Sequence, residues 1–368
     1  MDSLSSKGFM QTFDKFMIAG LGCGVIGLCC LASAFVYTFI NPPNARPVPT
    51  DTLPGTTVLS TVTPGAVTPA PGTPTLSITT PAVSPTLTAV TATEAQIATP
   101  VPNPDTGNAD LSGRIAFTCY VQQIDQICIM NADGSGRKQL THFSATSFYP
   151  SISPDGKTVY FVSKEKGTFD IYSMAVDGGD VERMTNGIGT LYAPELSPDG
   201  KRIVFANNGN GIWVMRADGN NPHPITFKDD IDPTWSPDGS KIAFASSRRG
   251  DRQLFMMDAN GGNVEQLTDL KNMGGRSTWS PDGTKIAFYR GPQGDRNIYV
   301  VDVATKEVTR LTSGGDNLGP SWSPDGNWIA FTSFRDGNNE IYILHPDGSG
   351  LRRLTESPIS DWQPRWGR

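Results

Sequence analysis

The stretch that decides the fold is Pro320-Ser321-Trp322-Ser323-Pro324-Asp325-Gly326, which belongs to a motif that recurs along the chain. Its Ser-Pro-Asp-Gly part occurs five times, at intervals of 44, 39, 44 and 43 residues. The copies begin at Ser153, Ser197, Ser236, Ser280 and Ser323. Proline presets φ, aspartate can bond its own backbone and glycine accepts a positive φ, so each copy is typical of a tight turn. A turn repeated at this period indicates a repeat architecture.

A short β-rich run follows each turn and ends in phenylalanine. The runs are Val159-Tyr160-Phe161, Ile203-Val204-Phe205, Ile242-Ala243-Phe244, Ile286-Ala287-Phe288 and Ile329-Ala330-Phe331. Two more short runs complete each unit, as Glu340-Ile341-Tyr342-Ile343 and Arg353-Leu354-Thr355 do in the last one. Four short strands in about 40 to 45 residues are typical of one β-propeller blade. The sequence therefore predicts an all-β fold.

The two ends of the repeat region complement each other. Residues 115–141 match the second to fourth strands of a unit but lack the preceding Ser-Pro-Asp-Gly, whereas Pro364-Arg365-Trp366 matches a first strand. We therefore predict that the C-terminal strand completes the first blade. This pairing would close a six-bladed β-propeller of four-stranded blades over residues 111–368 and leave no open edge.

The repeat, as it stands in Pro320–Gly326 and the runs that follow, resembles the WD40-like Ser-Pro-Asp-Gly repeat of TolB-type propellers. The propeller domains of dipeptidyl-peptidase and prolyl-oligopeptidase relatives carry a similar repeat. The resemblance covers nearly all of residues 111–368 and implies a propeller scaffold, which serves many functions. TolB carries a small α/β domain ahead of its propeller, and this chain has a different N-terminal region.

Residues 16–40 carry no formal charge and would span about 37 Å as a helix, enough to cross a bilayer core of about 30 Å. Lys7 and Lys15 precede this run, which predicts a cytoplasmic tail at 1–15, a signal-anchor transmembrane helix at 16–40 and everything after it outside the cytoplasm. Two alternatives stay open: cleavage near Ala32-Ser33-Ala34 and lipidation at Cys23. In each case the propeller is exported to the periplasm or the cell surface.

Residues 41–110 contain 17 threonines, 14 prolines and five charged side chains. Such a composition offers too few large apolar groups to offset the entropy lost on folding. We predict a disordered Thr/Pro-rich stalk, of which threonine-linked glycans are a conceivable addition.

The sequence contains no recognisable catalytic motif. No Gly-x-Ser-x-Gly elbow or His-Glu-x-x-His motif is present, and the three histidines belong to different units, so we predict neither an enzyme nor a cofactor. Asp229, Asp230 and Asp232 form an acidic cluster that could bind calcium together with Asp251 or Asp269. The alternative is that these carboxylates are solvated charges on loops. A net charge of −6 and a pI near 5.2 argue against nucleic acid as the partner.

Cys119 and Cys128 lie on consecutive predicted strands. A four-residue loop at Gln122 to Asp125 would place them directly opposite each other, within reach of a disulfide in an exported protein. The alternative is a pair of buried thiols.

One face of the ring is the expected binding surface. There, the residue pairs before each innermost strand approach the central channel: Phe148-Tyr149, Tyr192-Ala193, Ile231-Asp232, Gly275-Arg276, Leu318-Gly319 and Trp362-Gln363. They are either packing between blades or a partner-binding mouth lined by aromatic groups and arginine. The candidate contact residues are Phe148, Tyr149, Tyr192, Asp232, Arg276 and Trp362.

We expect a membrane-anchored module that binds a protein or peptide ligand or a cell-envelope component. A TolB-like structural role in an envelope complex is the second hypothesis. A propeller-based glycan-processing enzyme is the third, and it would need more convergent polar groups in the channel than Asp232 and Arg276.

Overall fold

The computed structural model describes residues 111–227 and 229–368, which form six four-stranded antiparallel sheets. The predicted tail, transmembrane helix and stalk at 1–110 lie outside the described residues. Within the described ranges, no helix is long and apolar enough to cross a membrane.

Each sheet is one blade whose strands run in order from the channel outward. Blade one is β24 (Asp361–Gly367), β1 (Arg114–Val121), β2 (Ile124–Asn131) and β3 (Lys138–Gln139). Blade two is β4 (Ser147–Ile152), β5 (Thr158–Ser163), β6 (Asp170–Ala175) and β7 (Glu182–Arg183). Blade three is β8 (Leu191–Leu196), β9 (Arg202–Asn207), β10 (Gly211–Arg216) and β11 (His223–Pro224).

The remaining blades follow the same order. Blade four is β12 (Asp230–Trp235), β13 (Lys241–Ser246), β14 (Gln253–Asp258) and β15 (Glu265–Gln266). Blade five is β16 (Thr278–Trp279), β17 (Lys285–Arg290), β18 (Asn297–Asp302) and β19 (Val308–Arg310). Blade six is β20 (Asn317–Trp322), β21 (Ile329–Ser333), β22 (Glu340–Leu344) and β23 (Arg352–Arg353).

The ring is closed by the last strand of the chain, as the repeat predicts. β24 pairs antiparallel with β1, and Trp366 lies opposite Ile115. The Trp366 indole N–H donates to the Ser112 carbonyl at 2.9 Å, which ties the two ends of the described chain together. The prediction of six four-stranded blades, with the C-terminal strand completing the first, is confirmed.

The Ser-Pro-Asp-Gly motif forms the turn between the first and second strands of a blade. In blade two, the Ser153 hydroxyl donates to Asp155 Oδ1 at 2.6 Å and accepts the Thr158 N–H at 2.9 Å. Gly156 has a φ of 73°, which side chains with a Cβ rarely adopt. The other four copies make the same serine-to-aspartate bond. The motif is therefore a self-contained turn that positions the second strand.

A polar bond inside the blade ties its fourth strand to its third. In blade six, Thr355 Oγ1 accepts the Ile341 N–H at 2.9 Å and donates to the carboxylate of Glu340. The threonine-to-backbone bond recurs in every blade. This bond adds a connection to the outer strand, which has only two or three residues and therefore forms few backbone hydrogen bonds.

The core lies between neighbouring sheets. The phenylalanine of each second strand is fully buried there, at Phe117, Phe161, Phe205, Phe244, Phe288 and Phe331. Burial of such a side chain contributes about 2 to 3 kcal/mol. The repeated phenylalanine therefore holds each blade against the next.

The hairpin between β1 and β2 differs from the sequence prediction. Val121 pairs with Ile124, so the turn has two residues, Gln122 and Gln123, with φ of 49° and 67°. The predicted four-residue loop from Gln122 to Asp125 was wrong. As a result, Cys119 lies opposite Gln126, and Cys128 lies opposite Phe117.

Candidate channel-mouth site

The mouth face comprises the loops between second and third strands and the connections from blade to blade. Near this face, the pairing of the first strand shifts by a β-bulge in blades one, two, three, four and six. In all six blades the second residue of the predicted pair has a positive φ, between 45° and 56°. These residues are Tyr149, Ala193, Asp232, Arg276, Gly319 and Gln363. The shared positive φ therefore places a different residue type around the axis in each blade.

The predicted aromatic residues form a packed cluster between blades two and three. Phe148 is fully buried, and Tyr149 and Tyr192 are 8% and 6% exposed. The Phe148 ring lies 5.2 Å from the Tyr149 ring and 6.2 Å from the Tyr192 ring. These aromatic residues pack between two blades, which is one of the two interpretations that the sequence allowed. Phe148 has no exposed surface through which a partner could contact it.

Trp362, in the first strand of blade one, keeps part of its surface exposed. Its indole N–H donates to Asp125 Oδ1 at 3.3 Å. The neighbouring Gln363 accepts the Tyr149 N–H at 3.1 Å, which links blade one to blade two. Trp362 is therefore held in place while still reaching the surface.

Arg276 lies across the channel from blade five to blade two. Its Nη2 donates to the Pro150 carbonyl at 3.2 Å, and its guanidinium carbon lies 4.8 Å from the centre of the Tyr149 ring. Its backbone N–H donates to Asp232 Oδ2 at 2.9 Å. Burial, together with the charge of Arg365, lowers the pKa of Arg276 to about 9. Burial and the charge of Asp232 hold the pKa of Tyr149 well above its usual value.

A second tier of charges lies beneath the bulge residues, and sequence reasoning missed it. Arg365 donates from both Nη atoms to the Ser277 carbonyl, each at 3.4 Å. Glu195 Oε1 accepts the Trp235 N–H at 2.9 Å and the Thr234 hydroxyl at 3.1 Å. Arg365 and Glu195 each follow a predicted mouth residue, Gln363 or Ala193, by two positions. Because alternate residues of a strand lie on the same face, this spacing could have identified both.

The acidic residues weighed as calcium ligands do not form a common ligand set. Asp230 pairs with Arg248 at 2.6 Å, while Asp232 accepts the Arg276 N–H. Asp251 and Asp269 line a separate shallow cavity of about 370 Å³, beside the connection from blade four to blade five. In residues 111–227 and 229–368, no group of three or more His, Cys, Asp or Glu could hold a metal ion. Calcium binding stays a hypothesis.

Two buried carboxyl groups lie near Trp362. Asp125 accepts the Thr146 hydroxyl at 3.2 Å in addition to the Trp362 indole, and Asp361 pairs with Arg137 at 2.9 Å. Burial raises the pKa of both aspartates to about 6. Each of them therefore releases its proton at a higher pH in the folded protein than an exposed aspartate does.

Cys119 and Cys128 form a diagonal cross-strand pair on one face of the blade-one hairpin. Their Cα atoms are 5.8 Å apart and their sulfur atoms are bonded. Both residues are fully buried. The oxidised pairing weighed from the sequence is thus compatible with this hairpin, although the two residues are not directly opposite.

Comparisons with known proteins agree with this geometry. The PD40 family, described as the TolB beta propeller domain, matches residues 86–212, 186–276 and 265–368. TolB from Acinetobacter baumannii is 30% identical with a TM-score of 0.62, and the match covers 70% of this chain and 67% of that one. No match was found among curated proteins.

Two further structures are more distant. Putative TolB from Agrobacterium tumefaciens is 21% identical with a TM-score of 0.56, covering 70% of this chain and 99% of its own. Hydrazine synthase from Kuenenia stuttgartiensis is 19% identical with a TM-score of 0.58, covering 69% of this chain and 46% of its own. At these identities the likeness concerns the fold alone. The family match covers more than half of the chain, which therefore belongs to the TolB beta propeller domain family.

Proposed function

We propose that this protein is a non-catalytic binding module that holds a protein or peptide ligand on the mouth face of its propeller. The observation that carries the proposal is membership in the TolB propeller family over residues 86–368. In this proposal the N-terminal region anchors the propeller to a membrane, outside the cytoplasm, where the ligand can also be another component of the cell envelope.

The mouth face offers apolar anchors that sequence reasoning did not single out. Phe227, in the connection from blade three to blade four, is 80% exposed. Phe334, which follows β21 in blade six, is 46% exposed. Exposed aromatic groups of this kind are enriched among residues that dominate protein interfaces. Together with Trp362 they give a partner three apolar contacts around the channel.

The six predicted contact residues then divide by role. Asp232 and Trp362 retain surface that a partner can reach. Phe148, Tyr149, Tyr192 and Arg276 are buried and shape the floor of the mouth. In this arrangement a ligand contacts Asp232 and Trp362 directly, and the buried residues determine the shape of the surface beneath it.

The test is capture of a partner by the full-length chain with an N-terminal affinity tag, because the C-terminal strand is needed for closure. Proteins bound from an envelope extract are identified and then titrated as purified components. We expect Phe334→Ser and Phe227→Ser to weaken binding of the identified partner by about tenfold or more.

Leu351 provides a matched control. It is 48% exposed, as much as Phe334, but it lies in a turn between third and fourth strands on the opposite face. Leu351→Ser should leave binding unchanged. If it weakens binding as much as Phe334→Ser does, the mouth face is not the binding surface.

A second candidate function is a structural role in an envelope complex. The 30% identity to TolB from Acinetobacter baumannii favours it. A structural role predicts that the chain copurifies with a fixed assembly of constant stoichiometry. A binding module instead predicts a partner that exchanges with free ligand during washing.

A further inference from the structure

The floor of the channel holds two buried arginines from different blades. Arg276 of blade five is 5% exposed, and Arg365 of blade one is 9% exposed. Because Arg365 donates to the carbonyl of Ser277, the residue next to Arg276, the two cations occupy one region of the channel. The charge of Arg365 accordingly contributes to the lowered pKa of Arg276.

Neither arginine has a carboxylate within ion-pair distance in the described part of the chain, although the charges of Glu195 and Asp232 act on both and oppose the lowering of their pKa values. The ion pairs formed by residues 111–227 and 229–368 include neither of them. Glu195 Oε1 is engaged by the backbone N–H of Trp235, and Asp232 Oδ2 by the backbone N–H of Arg276. Both carboxylates are therefore committed in part to other donors.

Several donors at this place also have no acceptor. Nε and Nη1 of Arg276 and the hydroxyl of Ser277 are buried, and they have no hydrogen-bond partner among the described residues. Leaving buried charged donors unsatisfied is strongly unfavourable, and proteins keep such groups where a ligand completes them. A guanidinium presents its donors in a planar fork that matches the two oxygens of a carboxylate.

We propose that Arg276, Arg365 and Ser277 form a carboxylate-binding site in the axial channel, which receives an acidic side chain or the chain end of a bound protein segment. This inference rests on the proposed function and specifies the ligand that the mouth recognises. The channel favours a slender group over a sugar ring, because Arg276 already reaches the opposite blade at Pro150. Asp232 retains exposed surface at the bulge level, so the channel is open to the mouth face there.

The experiment follows the melting temperature of the purified full-length chain at constant pH and ionic strength. The probes are N-acetylalanine, which carries a chain-end carboxylate, and the α-amide of N-acetylglutamate, which carries a side-chain carboxylate. N-acetylalanine amide is the neutral control, and glucuronate is the sugar carboxylate. At ten times its dissociation constant, a bound carboxylate should raise the melting temperature by about 2 to 4 °C. The neutral amide should produce no shift.

Variants connect the shift to the site. Arg276→Gln and Arg365→Lys should each weaken carboxylate binding by about tenfold or more. Arg216→Gln is the control, because Arg216 is exposed and pairs with Asp218 at 3.2 Å away from the channel. If Arg276→Gln does not fold, as judged by circular dichroism, Arg365→Lys and the amide control decide the result.

Three outcomes would overturn the inference: equal shifts with acid and amide, a shift unchanged in Arg365→Lys, or no shift with either amino-acid carboxylate. Stronger binding of glucuronate than of both amino-acid probes would overturn the assignment to a protein segment. If Arg365→Lys lost carboxylate binding but captured the partner as well as the unaltered chain does, the partner would not bind through the channel site. Unchanged capture by Phe334→Ser and Phe227→Ser would instead refute the mouth face itself.

Discussion

The backbone N–H of Trp366 donates to the hydroxyl of Ser321 at 2.9 Å, which joins the last strand of the chain to the first strand of blade six. The same tryptophan pairs with Ile115 in β1. One residue therefore connects blade six to blade one, and the stability of the closed ring depends on a segment that ends two residues later.

Deletion of residues 364–368 should destabilise the whole ring, beyond fraying one terminus. Trp366 is 8% exposed, and removal of a buried tryptophan side chain alone costs about 3 to 5 kcal/mol. Denaturant unfolding followed by circular dichroism measures the change. Removal of the exposed Arg368 alone is the control and should have little effect. An unfolding midpoint that stays the same after the larger deletion would contradict closure by β24.

Asp125→Asn should stabilise the protein at neutral pH. Its folded pKa of about 6 exceeds the ordinary value of 3.8, so the folded state keeps a proton that the unfolded state releases. The stability due to this group is full below about pH 4 and is lost as the pH rises through about 6. The loss amounts to about 3 kcal/mol at most. Asparagine can keep the bonds to Trp362 and Thr146 without the charge.

Urea unfolding from pH 4 to pH 8 tests this sign. The curves of free energy against pH for the original and variant proteins should converge near pH 4 and separate toward pH 8, with the variant more stable. A variant that is less stable at pH 8 and equally stable at pH 4 would show that the charge of Asp125 is favourable in the fold.

The cysteine pair predicts a specific thiol count. In a full-length chain with Cys23, Cys29 and Cys30 replaced by serine, the unfolded protein should show no reactive thiol before reduction and two after it. Two thiols before reduction would rule out the bond. Closure of the short loop between Cys119 and Cys128 should contribute about 2 to 3 kcal/mol, lost in Cys119→Ser.

Glu340→Ala should cost far more stability than Glu340→Gln. Glu340 is fully buried and accepts the Ser357 N–H at 2.8 Å and Arg353 Nη2 at 3.0 Å. Its removal leaves the Ser357 N–H and the Thr355 hydroxyl without their acceptor, and each buried donor left so costs about 1 to 3 kcal/mol; Arg353 keeps its pair with Asp336 at 3.2 Å. Gln126 and Gln253 take the equivalent position in blades one and four, so glutamine suits this site.

Thermal unfolding of the two variants at neutral pH compares them directly. Equal destabilisation by Glu340→Ala and Glu340→Gln would mean that the ion pair with Arg353, and not the shared acceptor geometry, holds blade six together.

The closure of the ring was predictable because the missing first strand and the surplus last strand are visible as a mismatch of repeats. The two-residue turn at Gln122-Gln123 was not, because glutamine lacks the preference for positive φ that marks such turns when glycine or asparagine occupies them. The diagonal placement of Cys119 and Cys128 follows from that turn and was missed with it.

The sequence left open whether the mouth residues pack between blades or face a partner. The positive-φ position carries a different side chain in each blade, so no residue type marks the bulge that redirects it. Arg276 is buried because the opposite blade comes within reach of its guanidinium at Pro150, which is a distance across the ring and not a property of the local sequence. Arg276 lies at the channel, as its place before an innermost strand suggests, but its solvent exposure depends on the distance to the opposite blade.

The pairing of Arg114 with Gly367 has a consequence for the order of events during synthesis. Five blades can assemble in the order of their synthesis, but blade one is complete only once β24 has been made, and until then β1 presents an unpaired edge. Contacts between such distant positions form slowly. We therefore expect the nascent chain to be most prone to aggregation before β24 pairs with β1.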